Sequence, residues 1–100
     1  MQGDLQDVLA TLRAHESELR RLGLEHASVF GSVARGESGA GSDIDVLVDL
    51  DESRAIGVFQ YSRLKLYING LLNGSADVVN SRTLKPPLRG SILHDAVHAF

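Results

Sequence analysis

Two carboxylates one residue apart, Asp43 and Asp45, open an apolar run that ends at Leu50, and a Gly-Ser pair precedes them at Gly31-Ser32. This pattern constrains the chain more than any other. The stretch Ile44 to Leu50 (I-D-V-L-V-D-L) has the branched, apolar make-up of a strand. Residues i and i+2 of a strand face the same side, so Asp43 and Asp45 converge with Cα atoms about 6.6 Å apart, at about 3.3 Å of rise per residue. Carboxylates that close repel unless a cation sits between them. Hard oxygen ligands of this kind suit Mg2+, which takes one or two protein carboxylates and completes its shell with phosphate oxygens. Gly31-Ser32, following the apolar Val29-Phe30, supplies the other half of such a site. Glycine lets backbone approach a ligand closely, and a helical turn after it aims free N–H groups at an anion.

The rest of the chain is read around that centre. Gly3-Asp4 followed by Leu5, Val8, Leu9, Leu12, Leu19 and Leu22 predicts one amphipathic helix, with Asp4 as N-cap and Gly23 as C-cap. Its other face, with Arg13, Glu16, Glu18, Arg20 and Arg21, reads as solvated surface. His26 to Phe30 is the first strand. Residues 33 to 42, rich in Gly, Ser and Ala, resemble a linker, but a D-x-D strand start follows at once, which predicts an active-site loop. Val46, Leu47 and Val48 make the second strand apolar on both faces, as a central strand is. Asp51 to about Asn73 predicts a helix stopped by Asn73-Gly74 and weakened by Gly57 and Gly70. Ala76 to Asn80 is a short third strand. Pro86-Pro87 breaks the chain before a last helix from about Leu88 to Asp95, and Val97 to Phe100 is either an edge strand or a tail.

Connections fix the topology in outline. The short segment between strands one and two permits antiparallel pairing, and the helix between strands two and three is what a right-handed parallel crossover requires. The expected fold class is α/β (α+β), a mixed three- to four-stranded sheet packed by helices. One hundred residues with 43% apolar content predict a single domain over 1–100 with one core. The absence of cysteine excludes disulfides and thiolate metal sites. No apolar run approaches the ~20 residues of a membrane helix, and the start lacks a signal peptide's pattern. The expectation is a cytoplasmic protein with no membrane partner. A net charge of −3, with two Tyr and three Phe in no RNA-recognition arrangement, argues against nucleic acid as partner.

Gly31-Ser32, ten intervening residues, then Asp43-x-Asp45 is similar to the G-S-x10-D-x-D signature of the minimal nucleotidyltransferases, within the DNA polymerase β-like superfamily. The likeness spans nearly the whole chain, since the leading helix, the A-D-V-V strand and the trailing L-x-P-x-L-R…I…A-V segment also resemble that family. It implies that Gly31 and Ser32 hold the triphosphate of ATP and that Asp43 and Asp45 ligate two Mg2+ ions. It implies further that Asp77, on the third strand, completes the catalytic and metal-binding acids near the attacking hydroxyl. The chemistry implied is in-line attack on the α-phosphorus with release of pyrophosphate, a displacement that a metal pair about 3.5–4 Å apart stabilises at both oxygens. Larger superfamily members carry a further domain for the acceptor, so the expected acceptor here is another protein. In the minimal family that partner is a helical HEPN-type toxin, the nucleotidyltransferase is its antitoxin, and some members add AMP to a toxin tyrosine.

Each of these residues also has a plainer reading. Asp43 and Asp45 suit the turn before a strand, Ser32 suits a helix cap, and Arg35, one turn from the phosphate site, is either a nucleotide contact or a solvated surface arginine. Asp49 and Asp51 read as surface or helix-start acids. Asp49 shares the parity of Asp43 and Asp45, but lies about 13 Å beyond Asp45, at about 3.3 Å per residue, too far for a metal pair about 4 Å across. Asp77 reaches the site if strands two and three are parallel neighbours, about 4.8 Å apart. His94 and His98 would share a face only if the last helix ran past His98, and no third ligand accompanies them. His15 and His26 read as surface residues; Tyr61 and Tyr67 either face a partner or pack. Two other functions stand beside the enzyme: an antitoxin that neutralises by masking, and a nucleotidyltransferase acting on a small molecule of the aminoglycoside kind. Homo- and hetero-oligomers are both left open.

Overall fold

The computed structural model describes residues 4–37 and 43–100. The part of the Gly/Ser/Ala-rich loop at 38–42, and the Gly3 that precedes the expected N-cap Asp4, lie outside the described residues. In chain order the elements are α1 (Leu5–Ala14), α2 (Glu16–Arg21), β1 (Leu24–Phe30), α3 (Gly31–Ala34), β2 (Ile44–Leu50), α4 (Val58–Leu71), β3 (Ala76–Asn80), a 3-10 turn (Ser81–Thr83), α5 (Pro86–Asp95) and β4 (Val97–His98). The four strands form one sheet in the order β3-β2-β1-β4. β1 pairs antiparallel with both β2 and β4, and β2 pairs parallel with β3. The mixed sheet and its pairing senses are those expected from connection length, and Val97–His98 takes the edge-strand option.

Strand alternation explains how the sheet is covered. Ala27 and Val29 sit opposite Val48 and Val46, and all four are buried together with Ile44. These side chains share one face, against which α1, α2 and α4 set Val8, Leu9, Leu12, Leu19, Leu64 and Ile68. The other parity of β2 carries Asp45, Leu47 and Asp49. Acids at the sheet's uncovered end therefore follow from the same alternation that builds the core. No helix among the described residues is long and apolar enough to cross a membrane.

Four local expectations are corrected. The single helix over 4–22 is two, broken at His15, whose φ of −110° and ψ of 18° leave the helical region. Between Leu12 and Leu19 the chain reads R-A-H-E-S-E, so the stripe positions 15 and 16 carry His and Glu and no apolar residue there continues it to the core. His15 turns inward instead: its Nδ1 lies 2.9 Å from the Thr11 carbonyl, and its ring meets Tyr67 edge-on at 6.3 Å. Asp4 occupies the N-cap position, but its side chain makes no cap bond. The helix expected from Asp51 starts only at Val58, because the Asp51 carboxylate accepts from Ser53 N and Oγ at 3.0 and 2.6 Å, closing a local turn. Gly57 is thus the N-cap of α4, not a weak point inside it. Pro86 and Pro87 are the first residues of α5, where their missing N–H groups would be unpaired anyway. The helix ends at Asp95, so His94 and His98 fall on different elements, and His98 meets Ser28 Oγ at 3.2 Å.

Core and surface positions should respond very differently to truncation. Leu12 is fully buried and Leu66 is 72% exposed. Leu12→Ala is expected to lose about 2–5 kcal/mol of unfolding free energy by urea titration, and Leu66→Ala no more than about 0.5 kcal/mol. Equal losses would contradict the assignment of α1 and α4 faces.

Candidate active site

β1 stops at Phe30, which faces Asp45 across the antiparallel ladder, and Asp77 of β3 faces Asp45 across the parallel one. Asp45 is therefore the centre of a row that runs from the end of β1 to the start of β3. Adjacent strands lie about 4.8 Å apart, which sets Asp77 beside Asp45. Asp43 stands just before β2 on the same parity. Asp43 and Asp77 are exposed, and Asp45 is half-buried.

The chain turns directly over this row. Gly31 has φ of +75°, the left-handed region that side chains avoid. A Cβ there would overlap Asp45 Oδ2 and lie 3.2 Å from Asp45 Cγ. Glycine is thus required twice at one position, by its own backbone and by the carboxylate beneath it. α3 begins at this residue, and its first amides have no acceptor within so short a helix. Ser32 was expected to cap the turn; the N-cap position belongs to Phe30, and Ser32 lies inside α3, so its hydroxyl is not a cap.

Electrostatics mark Asp45 as the strained member. Burial first, then the charges of Asp77 and Asp43, push its carboxyl above the usual Asp range, while Arg35 pulls the other way. Among the described residues none of the three acids has an ion-pair partner. Mutual repulsion of this kind is what a divalent cation relieves, so the donor set fits a hard dication. Among the described residues no three His, Cys, Asp or Glu groups come together closely enough to hold a metal ion by themselves. The fit is to Mg2+ held by part of the acid set and completed by phosphate oxygens and water.

The remaining residues sort by position. Arg35, at the end of α3, donates from Nη1 to Asp95 Oδ2 at 2.6 Å and from Nε to Glu37 Oε1 at 3.0 Å. Its charge is felt at Asp45, yet its guanidinium is held by two acids. Asp49 is not brought to the row: its carboxylate accepts from the buried Ser81 hydroxyl, tying the end of β2 to the 3-10 turn. Tyr61 packs against the core, and burial and the charge of Asp77 raise its phenol above the usual range. The Asp95 contact was not anticipated, because 60 residues separate it from Arg35 and no periodicity links them. A cavity of about 330 Å3 lined by Asp7, Thr11, Ile44, Leu71 and Asn73 opens on the helix-covered side, where Ile44 points away from the acids.

Comparison with known proteins gives consistent matches. Residues 12–97 match the family model described as a nucleotidyltransferase domain. The chain is 35% identical over 95 residues to protein adenylyltransferase MntA of Thermococcus cleftensis, covering 94% of each chain. A solved structure assigned as a minimal nucleotidyltransferase superposes with a TM-score of 0.77 at 41% identity, covering 94% of each chain. A tri-AMPylated Shewanella oneidensis HEPN toxin in complex with MNT antitoxin matches at TM-score 0.60 and 17% identity, covering 92% of this chain and 71% of that one. At that identity the likeness is one of fold.

The raised Asp45 carboxyl predicts a pH dependence in metal-free protein. The folded chain holds this proton more tightly than the unfolded chain, whose Asp titrates near about 3.9. The stabilisation is complete below that value and is lost as pH rises through it toward the higher folded one. Asp45→Asn, which does not ionise, should therefore raise the thermal midpoint at pH 7 in EDTA and leave it unchanged near pH 3. A lower midpoint at pH 7 would contradict the repulsive cluster.

Proposed function

Because this chain belongs to the nucleotidyltransferase domain family, we propose that it transfers AMP from Mg-ATP to a hydroxyl of a partner protein, a helical HEPN-type toxin for which it is the antitoxin. One observation carries the reading: Asp45 lies between the glycine turn at Gly31 and the neighbouring acid Asp77. A phosphate-binding turn and a metal-binding acid set then meet at a single point. Nucleotide transfer as such belongs to the family. The choice of a protein acceptor follows the T. cleftensis relative, a protein adenylyltransferase, and the choice of toxin follows the AMPylated HEPN complex that shares the fold. Residues 1–100 act in this reading as a single cytoplasmic domain.

The roles follow from position. The amides at Gly31 and Ser32 and the Ser32 hydroxyl bind the triphosphate. Asp43 and Asp45 would hold Mg2+, with Asp77 beside them on the acceptor side. When bound, the metal supplies charge neutralisation at the attacking and leaving oxygens. The acceptor oxygen forms a bond to the α-phosphorus, the bond from that phosphorus to the bridging oxygen breaks, and pyrophosphate leaves with the electron pair. The hydroxyl proton passes to solvent or to Asp77, the exposed acid of the row.

Mass spectrometry of the HEPN partner tests this after incubation with the protein and Mg-ATP. The partner should gain one or more AMP units, and Asp45→Asn should abolish the gain, since an amide is a weaker, uncharged metal ligand. Asp77→Ala should slow transfer at least about 100-fold, equivalent to about 2.7 kcal/mol, while Mg-ATP still binds. Asp49→Ala should stay near normal. Full neutralisation with no mass change would favour masking over catalysis, and a gain on an aminoglycoside instead would reassign the acceptor.

A further inference from the structure

Arg35 is fixed to the phosphate turn through its backbone, whose N–H donates to the Gly31 carbonyl at 3.1 Å. Its side chain is long, and a free arginine loses rotamer entropy when a ligand must order it. Two carboxylates order it in advance. Glu37 is 62% exposed and two residues away on the same loop, so solvent screens its pull. Asp95 is 23% exposed, makes the shorter contact at 2.6 Å, and comes from a different element. Its carboxyl is held below the usual Asp range, first by the hydrogen bond from Arg35, so it remains the anionic partner. His94 Nδ1 stands 3.5 Å from the other Asp95 oxygen but is 88% exposed. α5 itself contains no buried residue, although it packs against α3 and β1. Asp95 is the side chain by which α5 reaches Arg35.

We infer that Asp95 is a positioning residue: it holds the Arg35 guanidinium beside the Gly31-Ser32 turn, ready for the polyphosphate of the incoming nucleotide. This rests on the nucleotide reading above. A guanidinium carries five N–H donors in a fixed fork, more than the one each that Asp95 and Glu37 take. Phosphate oxygens therefore meet a cation whose orientation is already set, and charge-assisted bonds of this kind are among the stronger polar contacts.

The sign of one substitution separates this from simple electrostatics. Deleting a carboxylate near an anion site should, by Coulomb's law alone, tighten ATP binding. Positioning demands the reverse. Calorimetry with Mg-ATP should show Asp95→Asn binding about tenfold more weakly, the size of one hydrogen bond to a charged group. AMP, which lacks the polyphosphate, should bind as in the wild type. KM for ATP should rise more than kcat falls, Asp95→Glu should restore most of the affinity, and Asp95→Asn should add little to Arg35→Gln in a double-variant cycle. Tighter or unchanged ATP binding in Asp95→Asn would overturn the inference, as would an equal loss for AMP, which marks a merely structural role. Failure of the wild type to bind Mg-ATP would instead overturn the reading beneath it.

Discussion

The contact on which the arrangement depends is the approach of the Gly31 backbone to the Asp45 carboxylate. It leaves no room for a Cβ and uses a backbone conformation that side chains avoid. That approach exists because β1 and β2 are antiparallel in a register that sets Phe30 opposite Asp45, so the chain leaving β1 must pass over the acid. The parallel crossover through α4 then returns β3 with Asp77 opposite the same residue. Three segments distant in sequence are thus focused on one half-buried carboxylate by sheet register alone. The apolar alternation of β2 fixes that register, since a slip of one residue would exchange Ile44, Val46 and Val48 with the acids.

Such a cluster works against folding. Burial and two like charges disfavour ionised Asp45, and the charge of Arg35 offsets them only in part. The stability comes from elsewhere, from α1, α2 and α4 packing Leu12, Leu19, Leu64 and Ile68 on the opposite face. Acids that repel when the site is empty, beside a helix start whose first amides have no acceptor within the helix, are the features that the proposed metal-bound polyphosphate would satisfy. The same division explains why the 330 Å3 cavity on the helical side is separate from the acids: it opens at Ile44, on the core parity.

Much of this was legible in the chain itself. Apolar residues on both faces at Val46, Leu47 and Val48 announced a central strand, the shared side of residues i and i+2 placed Asp43 and Asp45 together, and the length of the segment before Ala76 announced the parallel crossover that brings Asp77 in. Helix limits were less legible, for identifiable reasons. His15 breaks the first helix because a long polar gap separates Leu12 from Leu19, and Asp51 diverts the chain into a side-chain-closed turn before α4 can begin. Long-range polar partners left no trace in local pattern. The hydrogen bond between Ser81 and Asp49 and the pair of Asp95 with Arg35 join residues 32 and 60 positions apart, and only the folded sheet brings them together.

The central claim is that the acids around Asp45 form a metal-dependent nucleotide site. Titration calorimetry of the wild-type protein with ATP, in Mg2+ and again in EDTA, measures this directly. The account predicts clear binding with Mg2+ and little or none without it, because the ionised acids repel the triphosphate until a cation bridges them. Equal affinity in both conditions would contradict it.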